Sequence, residues 1–201
     1  MTAEDAYAGL VQWSQQAATL ASCAEMLGWD EETYMPRGGV AHRARQMALL
    51  AGLHHERLTD PRLGDLIEAV ESSSLVKDPL SDQAVNARLL RRTYDRACQL
   101  PRGLVEEMAQ VTALAQQEWA IALRRSDFAR FLPWLKRIVN LKQREAESHS
   151  GSPASYDALL EDYEPGLRTD HLTKIFTELR QQLNPLLESI LGGKRQPDVT
   201  I

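Results

Sequence analysis

The most constraining feature of this 201-residue sequence is a row of apolar residues that follows Pro101 and recurs every three or four positions. This spacing is the period of an α-helix, so the row lies on one helical face. The row consists of Leu104, Met108, Val111, Ala115, Trp119 and Ala122. Such a face must be covered by other elements, and Ala, Leu, Glu, Gln and Arg are frequent throughout the chain. The sequence therefore predicts an all-α fold built from several mostly antiparallel helices.

Glycine and proline divide the first sixty residues into helices and a loop. The first predicted helix covers Glu4–Leu27 and ends at Gly28, because glycine commonly terminates helices. The segment 29–39 lacks a sustained period and contains Pro36, so it is predicted to be a loop. A second helix is expected over Val40–Arg57.

Capping residues predict the next helix starts. A third helix is expected over Pro61–Ser73, since proline suits the first helical turn. A break at Asp78–Ser81 separates it from a fourth helix, which Ser81 or Asp82 caps and which ends near Cys98. The fifth helix carries the apolar row described above.

Prolines also determine the predictions for the region after the fifth helix. Ser126 and Asp127 give one start signal for the sixth helix, but Pro133 predicts that its main part begins there, with Phe128 and Phe131 packing as a lead-in. A short helix is expected over Ser152–Tyr163, and a corner between helices over Tyr163–Gly166.

The last predicted helix, capped by Thr169 or Asp170, has a strongly apolar face that needs a partner. Its apolar positions are Leu172, Ile175, Phe176, Leu179, Leu183, Leu186, Leu187 and Ile190. After Gly192 and Gly193 the chain stops at a strand-like Val199–Ile201. We interpret this ending as a cut within a larger protein.

Charge and cysteine content narrow the classes of function. The net charge of -5 gives no reason to expect nucleic acid or an anionic membrane as a partner. The first residues lack the features of a signal peptide, and no run of 18 apolar residues occurs. We therefore predict a cytoplasmic protein with one helical region over 1–201. Cys23 and Cys98 are predicted to be buried small hydrophobic residues rather than a disulfide.

The sequence contains no complete catalytic or metal-binding motif. Helical zinc hydrolases use two His four residues apart, with Glu after the first. His55 and Glu56 begin that pattern, but Thr59 occupies the position of the second His. We predict that this pair caps or packs at a helix end. Apart from His55 and the adjacent His54, the histidines lie far from one another in the sequence: His42, His149 and His171. We therefore predict no catalytic residue and no metal ligand in the chain, and substrate-binding residues cannot be assigned.

Two separated blocks of residues stand out in the sequence. The first block is Trp29–Gly39 with Arg43 and Gln46, continued by Leu53–Glu56 and Thr59–Pro61. The second is Tyr156–Leu160 with Asp162–Gly166, and Asp127, Phe128, Phe131 and Pro133 lie between the two. Both blocks and this intervening segment resemble the carboxypeptidase Taq family of metallocarboxypeptidases, and the resemblance covers nearly the whole chain.

The resemblance implies a cytoplasmic, helical enzyme that removes residues from peptide C-termini with a divalent metal, usually zinc. Family members commonly form homodimers. In the family, the two His of an HExxH helix and a downstream Glu hold the metal, and the Glu within HExxH activates the water. This chain resembles only the N-terminal part of the family and contains none of these residues. No cofactor is therefore expected in this chain, and none of the family's catalytic residues can be carried over. By the resemblance, these helices form the N-terminal part of a larger helical metallopeptidase fold and wall one side of a substrate groove.

The residues of the first block have predicted structural roles. Asp30 is expected to accept hydrogen bonds from the loop or to pair with Arg43. Three others are expected to anchor the loop against the core: Trp29, Met35 and Pro36.

Two functional hypotheses remain open. In the first, the chain is the N-terminal portion of a zinc carboxypeptidase and is inactive alone. In the second, it is a free-standing helical module that binds a partner or a peptide. An HExxH motif in a continuation of the coding frame would favour the first, and a stop codon after Ile201 the second.

Overall fold

The computed structural model describes residues 2–150 and 156–193, and every regular element in these ranges is helical. The helices are α1 Ala3–Thr33, α2 Val40–Thr59, α3 Pro61–Glu71, α4 Asp82–Gln99, α5 Arg102–Arg125, α6 Phe128–Ser150, α7 Tyr156–Leu160 and α8 Thr169–Leu191. Short connections between packed helices produce the predicted antiparallel array, so the all-α class is confirmed. In the same ranges no helix is both long and apolar enough to cross a membrane. The strand-like ending at Val199–Ile201 lies outside the described residues.

Two predicted helix starts are confirmed by their caps. The Asp60 carboxylate accepts a hydrogen bond from the Arg62 backbone N–H at 2.9 Å, and Pro61 occupies the first helical position of α3. The Ser81 hydroxyl accepts one from the Ala84 backbone N–H at 3.3 Å and begins α4. Side-chain acceptors at these positions satisfy backbone donors that have no partner within the helix.

The predicted helix end at Gly28 is wrong. Helix α1 continues for five more residues and ends where the Tyr34 backbone N–H donates to the Asp30 carbonyl at 3.0 Å. A glycine inside a helix costs about 1 kcal/mol relative to alanine. Contacts of the next turn with α2, described below, offset this cost, so the loop shrinks to 34–39.

The predicted start of the sixth helix at Pro133 is also wrong. Helix α6 already includes Phe128, and the Asp127 carboxylate accepts a hydrogen bond from the Arg130 backbone N–H at 3.1 Å. Helix α5 ends at Arg125, and the next residue, Ser126, has a left-handed φ of 50°. The turn and the Asp127 cap together define the start of α6, and Pro133 is accommodated inside the helix.

The boundaries around α7 and α8 differ in part from the predictions. The predicted helix Ser152–Tyr163 is observed from 156 to Leu160, and its predicted start lies outside the described residues. The N-cap of α8 is Arg168 rather than Thr169 or Asp170. A carboxylate on α7 already accepts the hydrogen bond of the Thr169 backbone N–H, so no local side-chain cap is needed.

Two apolar clusters form the core. The first joins α1, α3 and α4 and contains Ala6, Leu10, Leu63, Ile67, Val70 and Ala87. The second joins α5 and α6 and contains Leu104, Val111 and Leu141. The row predicted on α5 is largely confirmed as a buried face, although Trp119 is 43% exposed.

The prediction that both cysteines are buried is wrong. Cys23 and Cys98 are exposed and free. Cys23 lies away from the row Ala6, Leu10 and Ala17 that α1 buries. Cys98 lies in the last turn of α4.

Candidate functional site

The centre of the first signature block is a buried arginine that joins α1 to α2. Arg43 is only 8% exposed, and its Nη2 lies 2.5 Å from the Asp30 Oδ2. Its Nη1 donates to the Leu27 carbonyl, and its Nε donates to the Gln46 Oε1 at 3.1 Å. A buried charge is tolerated when its donors are satisfied in this way. The predicted pairing of Asp30 with Arg43 is confirmed, and it holds the last turns of α1 against α2.

The aromatic residues of this block face outward. Trp29 is 54% exposed and Tyr34 is 75% exposed, and their ring centroids lie 5.4 Å apart at an interplanar angle of 58°. Pro36 is exposed as well, whereas Met35 is half-buried. The predicted anchoring role is therefore wrong for Trp29 and Pro36, because the continued helix turns the tryptophan toward solvent.

A groove of about 310 Å³ lies between the end of α1, the middle of α2 and α5. Its walls combine carboxylates with thioethers and small polar groups: Glu31, Glu32, Met47, Met108, Thr112 and Gln116. Burial raises the pKa of Glu31, while the Arg43 charge and a hydrogen bond from Gln117 act in the opposite direction. The Glu31 Oε1 is buried and has no hydrogen-bond partner among the residues that the structure describes. Nothing in the sequence signalled this groove, since it depends on the continuation of α1 past Gly28.

The incomplete zinc-like motif has the packing role predicted for it. The ring of His55 is buried, and its Nε2 lies 3.1 Å from the Ala97 carbonyl of α4, which can only accept a hydrogen bond. Glu56 forms an ion pair with Arg102 of α5. The Thr59 hydroxyl donates to the His55 carbonyl at 2.9 Å. His55 and Glu56 therefore join α2 to α4 and α5, whereas Thr59 bonds within the last turn of α2.

The second signature block forms a corner that is clamped to α4. Arg96 of α4 donates to the Ala158 carbonyl at 3.2 Å and pairs with Asp162. The Glu161 Oε2 accepts a hydrogen bond from the Gly166 backbone N–H at 2.7 Å. Gly166 has a φ of 80°, which is a conformation that glycine adopts without strain. The predicted corner over 163–166 is confirmed, and the arginine clamp was not foreseen because α4 and α7 are distant in sequence.

Across 2–150 and 156–193, no group of three or more His, Cys, Asp or Glu residues could hold a metal ion. The absence of metal ligands and catalytic residues from the chain as a whole remains a prediction.

The sequence model of one protein family, the carboxypeptidase Taq (M32) metallopeptidases, matches residues 9–201 of this chain. The chain belongs to this family. Thermostable carboxypeptidase 1 of Thermus thermophilus is 45% identical over 210 residues, which cover 100% of this chain and 41% of that protein. Thermostable carboxypeptidase 1 of Pyrococcus furiosus is 35% identical, and the match covers 86% of this chain and 34% of that protein. The chain thus spans about two fifths of the length of the first of these M32 relatives and about one third of the second.

Solved structures have the same arrangement of helices over most of this chain. A crystal structure named BsuCP superposes with a TM-score of 0.88 at 24% identity, covering 96% of this chain and 39% of that one. Trypanosoma cruzi metallocarboxypeptidase 1 superposes with a TM-score of 0.73 at 31% identity, covering 93% of this chain and 37% of that one. The fold predicted from the resemblance, the first part of a larger helical metallopeptidase, agrees with both.

Proposed function

We propose that this chain is the N-terminal helical portion of a zinc-dependent carboxypeptidase that removes C-terminal residues from peptides. Its residues 1–201 form one helical region, which walls one side of the peptide groove. The observation that supports this proposal best is the M32 family match over residues 9–201, in a chain that spans only two fifths of its Thermus relative.

We propose further that the chain has no hydrolytic activity of its own. Zinc-assisted hydrolysis requires an ion with an open coordination position, a bound water of lowered pKa, and a carboxylate that moves its proton. The HExxH pattern that would supply two ligands and this carboxylate is absent from the sequence. The histidine and glutamate that come nearest to it are occupied in packing and in an ion pair. In the complete fold, the metal ligands would come from outside this chain.

The remaining parts of the proposal follow the family resemblance. We place the complete protein in the cytoplasm, with peptides as its substrates, and expect it to form a homodimer. The net charge of -5 supports the absence of a nucleic-acid partner.

The test compares this chain alone with a chimera in which it replaces the matched part of the Thermus thermophilus relative. We expect no stoichiometric zinc and no release of C-terminal amino acids from a model peptide by the chain alone. The chimera is expected to bind zinc and to release amino acids, with the intact relative as the positive control. Zinc binding with turnover by the chain alone, or a folded chimera that loads metal without turnover, would contradict the proposal.

A further inference from the structure

Helix α8 differs from the other long helices in how its apolar residues are placed. From Ile175 to Leu187, all six large apolar side chains of α8 are between 43% and 59% exposed, and none of the residues of α8 is buried. They are Ile175, Phe176, Leu179, Leu183, Leu186 and Leu187, which together are called the α8 face below. An exposed apolar patch of this kind marks an interaction surface.

The spacing of the α8 face shows that it meets its partner from one side. Its members recur at intervals of three and four residues, which places them within about 120° of the helix circumference. They extend over roughly 18 Å of helix, at about 1.5 Å per residue. The opposite side carries Lys174, Glu178, Gln181 and Glu188, which suit solvent. The helix is therefore built to be covered along one face only.

The start of α8 is held by the rest of the chain. The Thr169 backbone N–H donates to the Asp157 Oδ1 at 2.8 Å, and Arg168 lies 3.6 Å from the other oxygen of the same carboxylate. The two residues that follow α7 are attached to α4 by the ion pairs of Glu161 with Arg92 and of Asp162 with Arg96. The first turn of α8 is thus attached to this corner, and the α8 face extends beyond it.

We propose that the α8 face is the surface on which the metal-binding remainder of the M32 fold docks. This inference rests on the proposed function. The solved structure that superposes with a TM-score of 0.88 aligns with 96% of this chain, so it must contain a counterpart of most of α8. Sixty-one per cent of that structure lies outside the match, and it supplies the chain that can cover this helix.

A second copy of this chain is the less suitable occupant. Six half-exposed side chains offer roughly 500 Å² of surface, whereas a standard stable interface uses about 800 Å² from each partner. Two free chains would also lose translational and rotational freedom on association. Covalently connected segments of one polypeptide avoid most of this loss, so the same small apolar face is sufficient within a single fold.

The experiment places one substitution in two contexts. Leu183→Lys introduces a charge on the α8 face, and Gln181→Lys introduces the same charge on the opposite side. Leucine, glutamine and lysine have similar helix propensities, so neither change should unwind α8. Both variants are made in this chain alone and in the chimera with the Thermus relative. Melting temperature, molar mass by light scattering, and hydrogen exchange of the α8 amides are measured in each.

In the chain alone, we expect both variants to melt within about 1 °C of the parent and to remain monomeric. In the chimera, Leu183→Lys should lower the melting temperature by at least about 4 °C, while Gln181→Lys leaves it unchanged. The α8 amides should exchange at least about tenfold more slowly in the chimera than in the chain alone.

Equal melting temperatures of the two chimeric variants would overturn the inference. A dimer of this chain alone that Leu183→Lys dissociates would also overturn it, because a second copy would then occupy the face. If the chimera is insoluble, the same pair of substitutions is made at the aligned positions of the intact relative, and their melting temperatures decide the question by the same criterion.

The two proposals can fail separately. An active chimera whose melting temperature is unchanged by Leu183→Lys refutes only the docking surface. A protected α8 in an inactive chimera refutes only the proposed function.

Discussion

The body of the molecule, α1–α6, and the arm formed by α7 and α8 contain similar apolar rows but use them differently. In the body, Val111 and Leu141 face each other across α5 and α6 and are at most 1% exposed. In the arm, Leu183 and its neighbours on α8 remain about half exposed. The comparison teaches that apolar residues at helical spacing predict a helix with one apolar face. The same spacing does not identify the segment that packs on that face.

The sharpest test of this comparison uses the same substitution in both regions. Leu141→Ala removes a fully buried side chain of α6 and should lower the free energy of unfolding by about 3 kcal/mol. Leu183→Ala should change it by less than about 0.5 kcal/mol in the chain alone, since little packing is lost. Urea titrations measure both values. Equal costs would mean that the arm has a packed face of its own.

The second prediction concerns the ion pair that holds the last turns of α1. Asp30→Ala leaves the buried Arg43 guanidinium without its carboxylate and should destabilise the body by about 2 kcal/mol. This value is below that of a fully buried pair, because the Asp30 side chain is 39% exposed. The control is Glu32→Ala, which removes an exposed carboxylate from the same turn of α1.

We expect Asp30→Ala to affect the melting temperature more than the affinity for a peptide, which titration calorimetry with the chimera can measure. An unchanged melting temperature together with lost peptide binding would show that Asp30 contacts the substrate instead.

The third prediction compares two glycines of the body. A Cβ added at Gly28 would have no neighbour within 4 Å, and the residue lies inside α1. Gly28→Ala should therefore stabilise the chain by about 0.5–1 kcal/mol. Gly64 differs, since an added Cβ would lie 2.8 Å from the Tyr94 hydroxyl. Gly64→Ala should therefore destabilise the chain. Thermal melts of both variants check the two signs, and a lower melting temperature for Gly28→Ala or a higher one for Gly64→Ala would contradict the prediction.

The fourth prediction is a pH dependence in the body. Burial raises the pKa of Glu31 above its usual 4.5, so its contribution to stability is largest below pH 4.5 and decreases as the pH rises through the folded pKa. Glu31→Gln should stabilise the chain at pH 7 by less than about 1 kcal/mol, because the side chain is partly solvated. The gain should disappear below pH 4.5. A gain that persists at low pH would assign the effect to packing rather than to charge.

The fifth and smallest prediction is the opposite pH dependence in the arm. The Thr169 backbone N–H, followed by its hydroxyl, lowers the pKa of Asp157 below 3.8. The contribution of this carboxylate is therefore present above pH 3.8 and is lost as the pH falls through its folded pKa. Hydrogen exchange at the first turn of α8 should accelerate there, and Asp157→Asn should weaken this response. An unchanged exchange rate would show that the corner holds without the charge.

The comparison with the sequence predictions separates local from tertiary causes. The starts of α3 and α4 were predicted correctly, because Asp60 with Pro61 and Ser81 act within one helical turn. The end of α1 was missed because Arg43, thirteen residues after Asp30, stabilises the turns beyond Gly28. The wrong start at Pro133 has a similar origin, since the cap at Asp127 outweighs the preference of proline for a first turn.

The candidate site was predictable only in part. The pairing of Asp30 with Arg43 followed from two charges in one signature block, and the packing role of His55 from the missing second histidine. The groove beside Glu31 could not be foreseen, because α1, α2 and α5 meet there from distant parts of the sequence. Family membership, by contrast, followed from the residues of two blocks and is confirmed over 9–201.

By itself, the sequence determined the helical class, most helix starts and the family, because capping, apolar period and signature residues act over short distances. Only the tertiary structure decided that α1 continues past its glycine, that both cysteines are exposed, and that one apolar face is buried while the other is not. These outcomes depend on which surfaces meet, and packing between distant segments has no local signal in the chain.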